Sequence, residues 1–222
     1  MAIDIFRNSY DVSTRPVEVY TNSELPVPIL QGKWEFERLL GIYKARAQHQ
    51  APWSVLEIGS LYGGTLWHWM KYAKPGSEFV CVDQLVNDND ARYDLQMKCH
   101  REMWPAWAAE HGHGVAVLEG DSTDPELIKK VSGNSFDFIF IDGGHSYDVV
   151  KADFENYGRL AKPGGMIVLH DILFAPWWGS IEVHRLWGEI VQAGYVVQEF
   201  YSKPDQYFLE DRSTWGIGIV YV

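Results

Sequence analysis

The sequence has 222 residues, 46% of them hydrophobic, which suits one domain with a substantial core, since domains commonly run ~100–200 residues. Thirty Asp and Glu against 19 Lys and Arg give a formal charge of −11, which works against a phosphate backbone and disfavours nucleic acid as a partner. The opening MAIDIFRNSYDVSTRP has no apolar signal core, and no later stretch approaches the ~20 apolar residues that span a bilayer, so a soluble cytoplasmic protein without a membrane partner is expected.

Residues 1–30 lack a sustained period, contain Pro16, Pro26 and Pro28, and are expected to form an N-terminal arm with turns. Over 33–48 the spacing predicts a helix, with Trp34, Phe36, Leu39, Leu40, Tyr43 and Ala47 on or near one face. Short apolar runs then alternate with helix-length segments. Strands are expected at 54–58, 78–82, 115–119, 136–141 and 166–170, and helices near 64–74, 91–111, 124–131 and 147–161. A helix at 181–193 and strands near 195–201 and 215–222 follow. This pattern predicts an α/β fold: a doubly wound, mostly parallel sheet with helices on both faces, in one domain over 1–222. Cys81, in the apolar run FVCV, and Cys99 have neither the number nor the spacing of a zinc cluster or a disulfide framework, and both are read as reduced thiols.

In an open α/β sheet, ligands bind beyond the carboxyl ends of the strands. After the first strand comes Glu57-Ile58-Gly59-Ser60-Leu61-Tyr62-Gly63-Gly64-Thr65, a glycine-rich turn that permits close approach of a ligand. The second strand ends at Asp83, near the ~20-residue offset at which an acid reaches a ribose, so the pair points to an adenosine-type ligand. Against this stands the plainer reading of a tight turn and a loop acid. Glycine spacing and charge select among adenosine cofactors. The turn reads G-x-x-x-G-G, where a dinucleotide fingerprint requires glycine at Leu61. The strand ends carry Glu57, Asp83, Glu119, Asp121, Asp142 and Asp171 with no Lys or Arg in the immediate turns. A pyrophosphate is poorly served there, whereas the sulfonium and ammonium of S-adenosylmethionine are favoured.

The motifs VLEIGSLYGGT, FVCVDQ, LEGDST and FIFIDGGHSYDVVKADFENYGRLAKPGGMIVLHD resemble the successive motifs of class I S-adenosylmethionine-dependent methyltransferases, over roughly 31–175. Within that class, IDGGHSYDVVKAD with GGMIVLHD is most similar to the small-molecule O-methyltransferases related to sugar, macrolide and rhamnosyl methyltransferases and to the cephalosporin-hydroxylase-associated group. The resemblance implies a Rossmann-like sheet of order 3-2-1-4-5-7-6 with strand 7 antiparallel. It implies that Glu57 and the backbone at Gly59 and Ser60 hold the amino-acid end of the cofactor. Gly63 and Gly64 would allow close approach, Asp83 would bind the ribose, and Asp121 and Ser122 would flank the adenine. Gln31 has two readings, closure over the cofactor or a helix boundary.

The fourth and fifth strands should be neighbours ~5 Å apart, so Asp142 and Asp171 can converge on one point and invite a hard divalent cation such as Mg²⁺. Related enzymes commonly carry an acid where this chain has His170; imidazole is a softer ligand, which leaves Mg²⁺, another divalent metal or none as alternatives. His145, in Asp-Gly-Gly-His, is a candidate general base with Asp142 beside it, or a loop histidine. Phe174, Trp177, Trp178, Trp187, Tyr201, Tyr207 and Phe208 crowd the region after the fifth strand and are expected mostly in the core. Trp177 and Trp178 adjoin Pro176 and Gly179 in an expected loop, open to a small-molecule acceptor or to a second copy in a homo-oligomer. The function expected is O-methylation of a small hydroxylated metabolite such as a sugar or natural product. The alternatives are a nucleotide-linked oxidoreductase and a cofactor-binding protein without turnover.

Overall fold

The computed structural model describes residues 20–48, 51–85, 91–174, 179–201 and 215–222. Its strands are β1 (Ser54–Ile58), β2 (Glu78–Asp83), β3 (Gly114–Glu119), β4 (Phe136–Ile141), β5 (Ala161–Leu169), β6 (Val196–Tyr201) and β7 (Gly216–Tyr221). They form one sheet of order β3-β2-β1-β4-β5-β7-β6, parallel from β3 to β5, with β7 antiparallel to both β5 and β6. The order and the direction of β7 are those the resemblance implies.

Side chains alternate across the strands and divide the core in two. On one face lie Val55, Phe138, Phe140, Met166 and Val168, covered by α1 (Lys33–Ala47), α2 (Gly64–Tyr72) and α4 (Trp104–His111). On the other lie Leu56, Ile58, Ile139, Ile141, Ile167 and Leu169, under α5 (Pro125–Val131), α6 (Tyr147–Gly158) and α7 (Val183–Gln192). Each fully buried side chain of this kind contributes roughly 1.5–3 kcal/mol. The central strands β1 and β4 are apolar on both faces, which explains their near-continuous hydrophobic sequences.

Three segments depart from the expected pattern. β5 starts at Ala161, five residues ahead of the apolar run, because Phe136 pairs with Ala161 and, after a register shift, Phe138 pairs with Met166. Pro163 and the glycine pair after it thus lie inside the strand at an irregular ladder, where a missing N–H is tolerated. The helix expected at 91–111 is α3 (Ala91–Lys98), a π-helical stretch Cys99–Met103, and α4. The third is the arm. Of its residues, 1–19 lie outside the described set, while Val27 and Ile29 are core and the Tyr20 amide donates to the Gln31 carbonyl at 2.8 Å. Residues 20–31 therefore pack against the domain. No helix among the described residues is long and apolar enough to cross a membrane.

Candidate active site

The turn after β1 is stitched to both neighbouring strands. The Gly59 amide donates to Val82 O at 2.9 Å and the Asp142 amide to Ile58 O at 2.9 Å. Gly59 has φ 83°, and a Cβ there would stand 2.2 Å from the Asp142 carbonyl oxygen. Gly63, φ 82°, lies against the Trp104 indole, and a Cβ at Gly64 would meet the Pro28 carbonyl at 2.7 Å. These glycines are required by close approach of the chain to itself. Gly59→Ala should cost about 2–4 kcal/mol, combining left-handed strain with a backbone clash, as read by urea unfolding. A variant as stable as the parent would show that the turn relaxes freely. Gly63 also serves as N-cap of α2 without a side-chain cap, leaving the helix amides uncapped at Gly64 and Thr65, which line the cavity.

Glu57 is completely buried beneath this turn and is no part of the cavity wall. It accepts a hydrogen bond from the Thr65 hydroxyl, while its Oε2 has no partner. Burial raises its carboxyl to about 8, against the hydrogen bond from Thr65, and the nearby Asp142 and Asp83 charges add to the rise.

Asp83 closes β2 and lines the cavity, 7% exposed. Its Oδ2 lies 3.2 Å from Gln96 Nε2 and 3.4 Å from His100 Nε2, and His100 Nδ1 lies 3.4 Å from Glu119. His100 thus sits between two carboxylates, in the π-helical stretch that turns it inward. Asp121 and Ser122 also line the cavity. Asp121 caps Thr123 through 2.8 Å bonds from its amide and hydroxyl, and the Ser122 carbonyl accepts from Tyr157.

The ends of β4 and β5 meet as expected. His170 Nδ1 lies 3.2 Å from Asp142 Oδ1 and 3.4 Å from Asp171 Oδ2; His145 Nε2 lies 3.1 Å from Asp171 Oδ2 and 3.8 Å from Asp142 Oδ1. Gln31 Nε2 donates to Asp142 Oδ2 at 2.8 Å. Behind them Glu35, fully buried in α1, holds its Oε1 3.1 Å from His170 Nε2 and accepts the Gly32 amide at 3.2 Å. Although burial opposes ionisation, the His170 charge and bonds from both imidazoles hold Asp142 and Asp171 below the usual carboxylate range. Burial likewise opposes charging of His145, but hydrogen bonds to Asp142 and Asp171 lift it to about 10.

All these strand ends open on one cavity of about 880 Å³, within the ~300–1,000 Å³ common for cofactor and small-molecule sites. Of the residues expected from sequence, Gln31, Gly59, Ser60, Gly64, Asp83, Asp121, Ser122, Asp142, His145, His170 and Asp171 line it; Glu57 and Gly63 stand behind it. Sequence reading missed Glu35, Gln96 and His100, and also Trp215, a wall residue 6.4 Å from the His170 ring between centroids. Trp177, Trp178, Tyr207 and Phe208 lie outside the described residues. Trp187 is core as expected, whereas Phe174 is 63% exposed.

A seven-stranded sheet of this order, with its parallel strand ends on one cavity, is the Rossmann-like fold of class I methyltransferases. The chain belongs to the methyltransferase family: a family model described as "Methyltransferase domain" matches residues 56–172, more than half of its length. Similar solved structures include an O-methyltransferase from Bacillus cereus in complex with SAH, at 17% identity, 90% of this chain, 85% of that one and TM-score 0.58. Another is the O-methyltransferase TomG from Streptomyces achromogenes, involved in tomaymycin synthesis and solved with SAM, at 14% identity, 90% and 83% coverage and TM-score 0.57. A third is the MycE methyltransferase of the mycinamycin biosynthetic pathway with Mg and SAH, at 18% identity, 83% and 48% coverage and TM-score 0.52. At these identities the likeness is one of fold. Among curated proteins, uncharacterized protein y4gI of Sinorhizobium fredii is 28% identical over 123 residues, which is 54% of this chain and only 13% of that protein.

Proposed function

We propose that this protein, as one cytoplasmic methyltransferase domain, transfers the methyl group of S-adenosylmethionine to an oxygen of a small hydroxylated acceptor, such as a sugar or natural product. The observation that carries the reading is the convergence on one cavity of an adenosine-type end, Asp83 with the glycine turn, and a polar end, Asp142, His145, His170 and Asp171. O-methyltransferases among the similar folds support it. Gly59, Ser60 and Gly64 hold the amino-acid end of the cofactor, with Glu57 and Gly63 supporting the turn from behind. Asp83 takes the ribose, Asp121 and Ser122 flank the adenine, and Gln31 closes over the site while orienting Asp142.

The donor set at the polar end suits a divalent cation: Asp142, His170 and Asp171 each offer one ligand atom, all within 4.8 Å of one another. The Mg in the MycE complex supports this assignment. Such a cation would polarise the acceptor oxygen and displace the proton that the two carboxylates otherwise hold on His145. His145 Nε2, facing the same point, would be the base that takes the hydroxyl proton. The acceptor oxygen forms its bond to the methyl carbon as the carbon–sulfur bond breaks and the sulfonium becomes a neutral thioether. Alignment of oxygen, methyl and sulfur supplies much of the rate.

The cofactor assignment is tested by calorimetry with S-adenosylmethionine, S-adenosylhomocysteine and NAD. The first two should bind, and selective binding of NAD would overturn the reading. Asp83→Ala should weaken binding by roughly 1.5–3 kcal/mol, the scale of hydrogen bonds to a charged group. Unchanged affinity in a folded variant removes Asp83 from the ribose site. Turnover is then sought by mass spectrometry with a panel of polyhydroxylated acceptors.

A further inference from the structure

The surroundings of His170 say which class of cation this site takes, an inference that rests on the cation site proposed above. We propose that the site selects a first-row transition dication of borderline hardness, such as Mn²⁺, Fe²⁺, Co²⁺ or Zn²⁺, over Mg²⁺, with His170 Nδ1 as a direct ligand and Glu35 as the carboxylate that orients it.

The geometry comes first. His170 Nδ1 is 3.2 Å from Asp142 Oδ1 and 3.4 Å from Asp171 Oδ2. Metal–ligand bonds of ~2.0–2.2 Å place neighbouring ligand atoms about 3.0 Å apart at right angles and about 3.4 Å apart in a tetrahedron. The two contacts of the imidazole nitrogen therefore have the length of ligand-shell edges.

Second, the ring is oriented from behind. Glu35 Oε1 faces Nε2 at 3.1 Å and is fixed in turn by the Gly32 amide, with Glu35 and His170 0% and 3% exposed. Without a cation the ring is held charged, Nδ1–H towards Asp142 and Asp171 and Nε2–H towards Glu35; a cation between the two carboxylates would replace the Nδ1 proton, while Glu35 would keep the other on Nε2 and so turn Nδ1 to the metal. Carboxylate, imidazole and metal in this sequence are a recurrent way of raising ligand basicity and fixing the tautomer.

Third, the donor chemistry discriminates. Mg²⁺ demands octahedral oxygen and gives up its waters reluctantly, whereas imidazole suits Fe²⁺, Co²⁺ and Zn²⁺, with Mn²⁺ the weakest of the transition dications at such a site. A carboxylate in place of His170 would give an all-oxygen set. The imidazole, with a dedicated buried acid behind it, gives a mixed one.

The test is binding to metal-free protein, independent of turnover. Mg²⁺, Mn²⁺ and Co²⁺ affinities are measured by calorimetry for the wild type, His170→Asp and Glu35→Gln. Pulsed electron-spin resonance on bound Mn²⁺ reads nitrogen ligation. Co²⁺ should bind more tightly than Mg²⁺, and His170→Asp should lower that ratio by about tenfold or more. Glu35→Gln, which keeps the shape of the site, should weaken Co²⁺ about 10–100-fold while changing Mg²⁺ less. Nitrogen coupling should appear in wild type, persist in His145→Ala and vanish in His170→Asp. Cation binding without nitrogen coupling, or a Co²⁺-to-Mg²⁺ ratio unmoved by both His170→Asp and Glu35→Gln, overturns the selectivity while leaving the cation site standing. If none of the three ions binds, the cation site itself falls, and the selectivity with it.

Discussion

Glu57→Gln is expected to leave stability below pH 4.5 almost unchanged and to raise it by roughly 5 kcal/mol near pH 9, taking ~1.4 kcal/mol per unit of pKa difference. The buried Glu57 carboxyl titrates at about 8, against an ordinary value of 4.5. A carboxyl raised in the folded state is protonated there while the unfolded chain has released its proton. Its contribution is therefore fully present below pH 4.5 and is lost as the pH rises through about 8. Glutamine stays neutral throughout and can keep the hydrogen bond from Thr65. Urea unfolding of both proteins across this range provides the measurement, and parallel pH profiles would show that Glu57 is ionised at no unusual cost. The same experiment with S-adenosylmethionine present tells whether the cofactor's ammonium offsets the cost of the buried charge.

Exhaustive chelation should abolish methyl transfer while sparing most cofactor binding, because the proposed cation ligands Asp142, His170 and Asp171 follow β4 and β5, whereas Asp83, the proposed ribose partner, closes β2. His145→Ala should lower the catalytic rate about 10²–10⁴-fold, the usual worth of a positioned base. Asp142→Asn and Asp171→Asn should also weaken cation binding, since each removes an anionic ligand. The assay is methyl transfer to an identified acceptor at saturating cofactor, with and without chelator. Full activity after chelation rejects the cation's role, and near-normal turnover in His145→Ala rejects the base. Without the cation His145 is held near 10 and is protonated at neutral pH. Added metal should therefore release a proton on binding, a second readout in weakly buffered solution.

The sheet was legible because each central strand carries its own signal. Val55 and Leu56, or Phe138 and Ile139, are apolar on both faces and bounded by polar turns. The gathering of the strand-end residues on one cavity was legible for the same reason, since β1, β2, β4 and β5 each end in a short motif. Glu35 shows what was not. Its partner His170 is 135 residues away, and no local pattern joins them. A signal did exist in α1: Glu35 is four residues ahead of Leu39 and eight ahead of Tyr43, on the buried stripe, whereas Trp34 shares its side with Arg38 and is 44% exposed. Hydrophobicity favoured Trp34 over Glu35, and helical phase decided otherwise. His100 was hidden differently, because a uniform helical period over 91–111 cannot place the residues beyond Lys98.

That π-helical stretch also constrains how the chain can change length. A π turn accommodates about one residue more than the α-helical path, and each residue of an α-helix advances ~100° around the axis. Gln96 before the stretch and His100 within it face Asp83; Trp104 after it donates from its indole to the Tyr62 carbonyl at 3.1 Å. Deleting one residue from 99–103 would rotate one half of the helix by ~100° against the other, so the Asp83 and Tyr62 anchors could no longer be met together. The exposed turn at 132–135 between α5 and β4 carries no such pair of anchors. Insertions and deletions should therefore accumulate at 132–135 in descendants of this sequence, while the length of 91–111 is held to the residue.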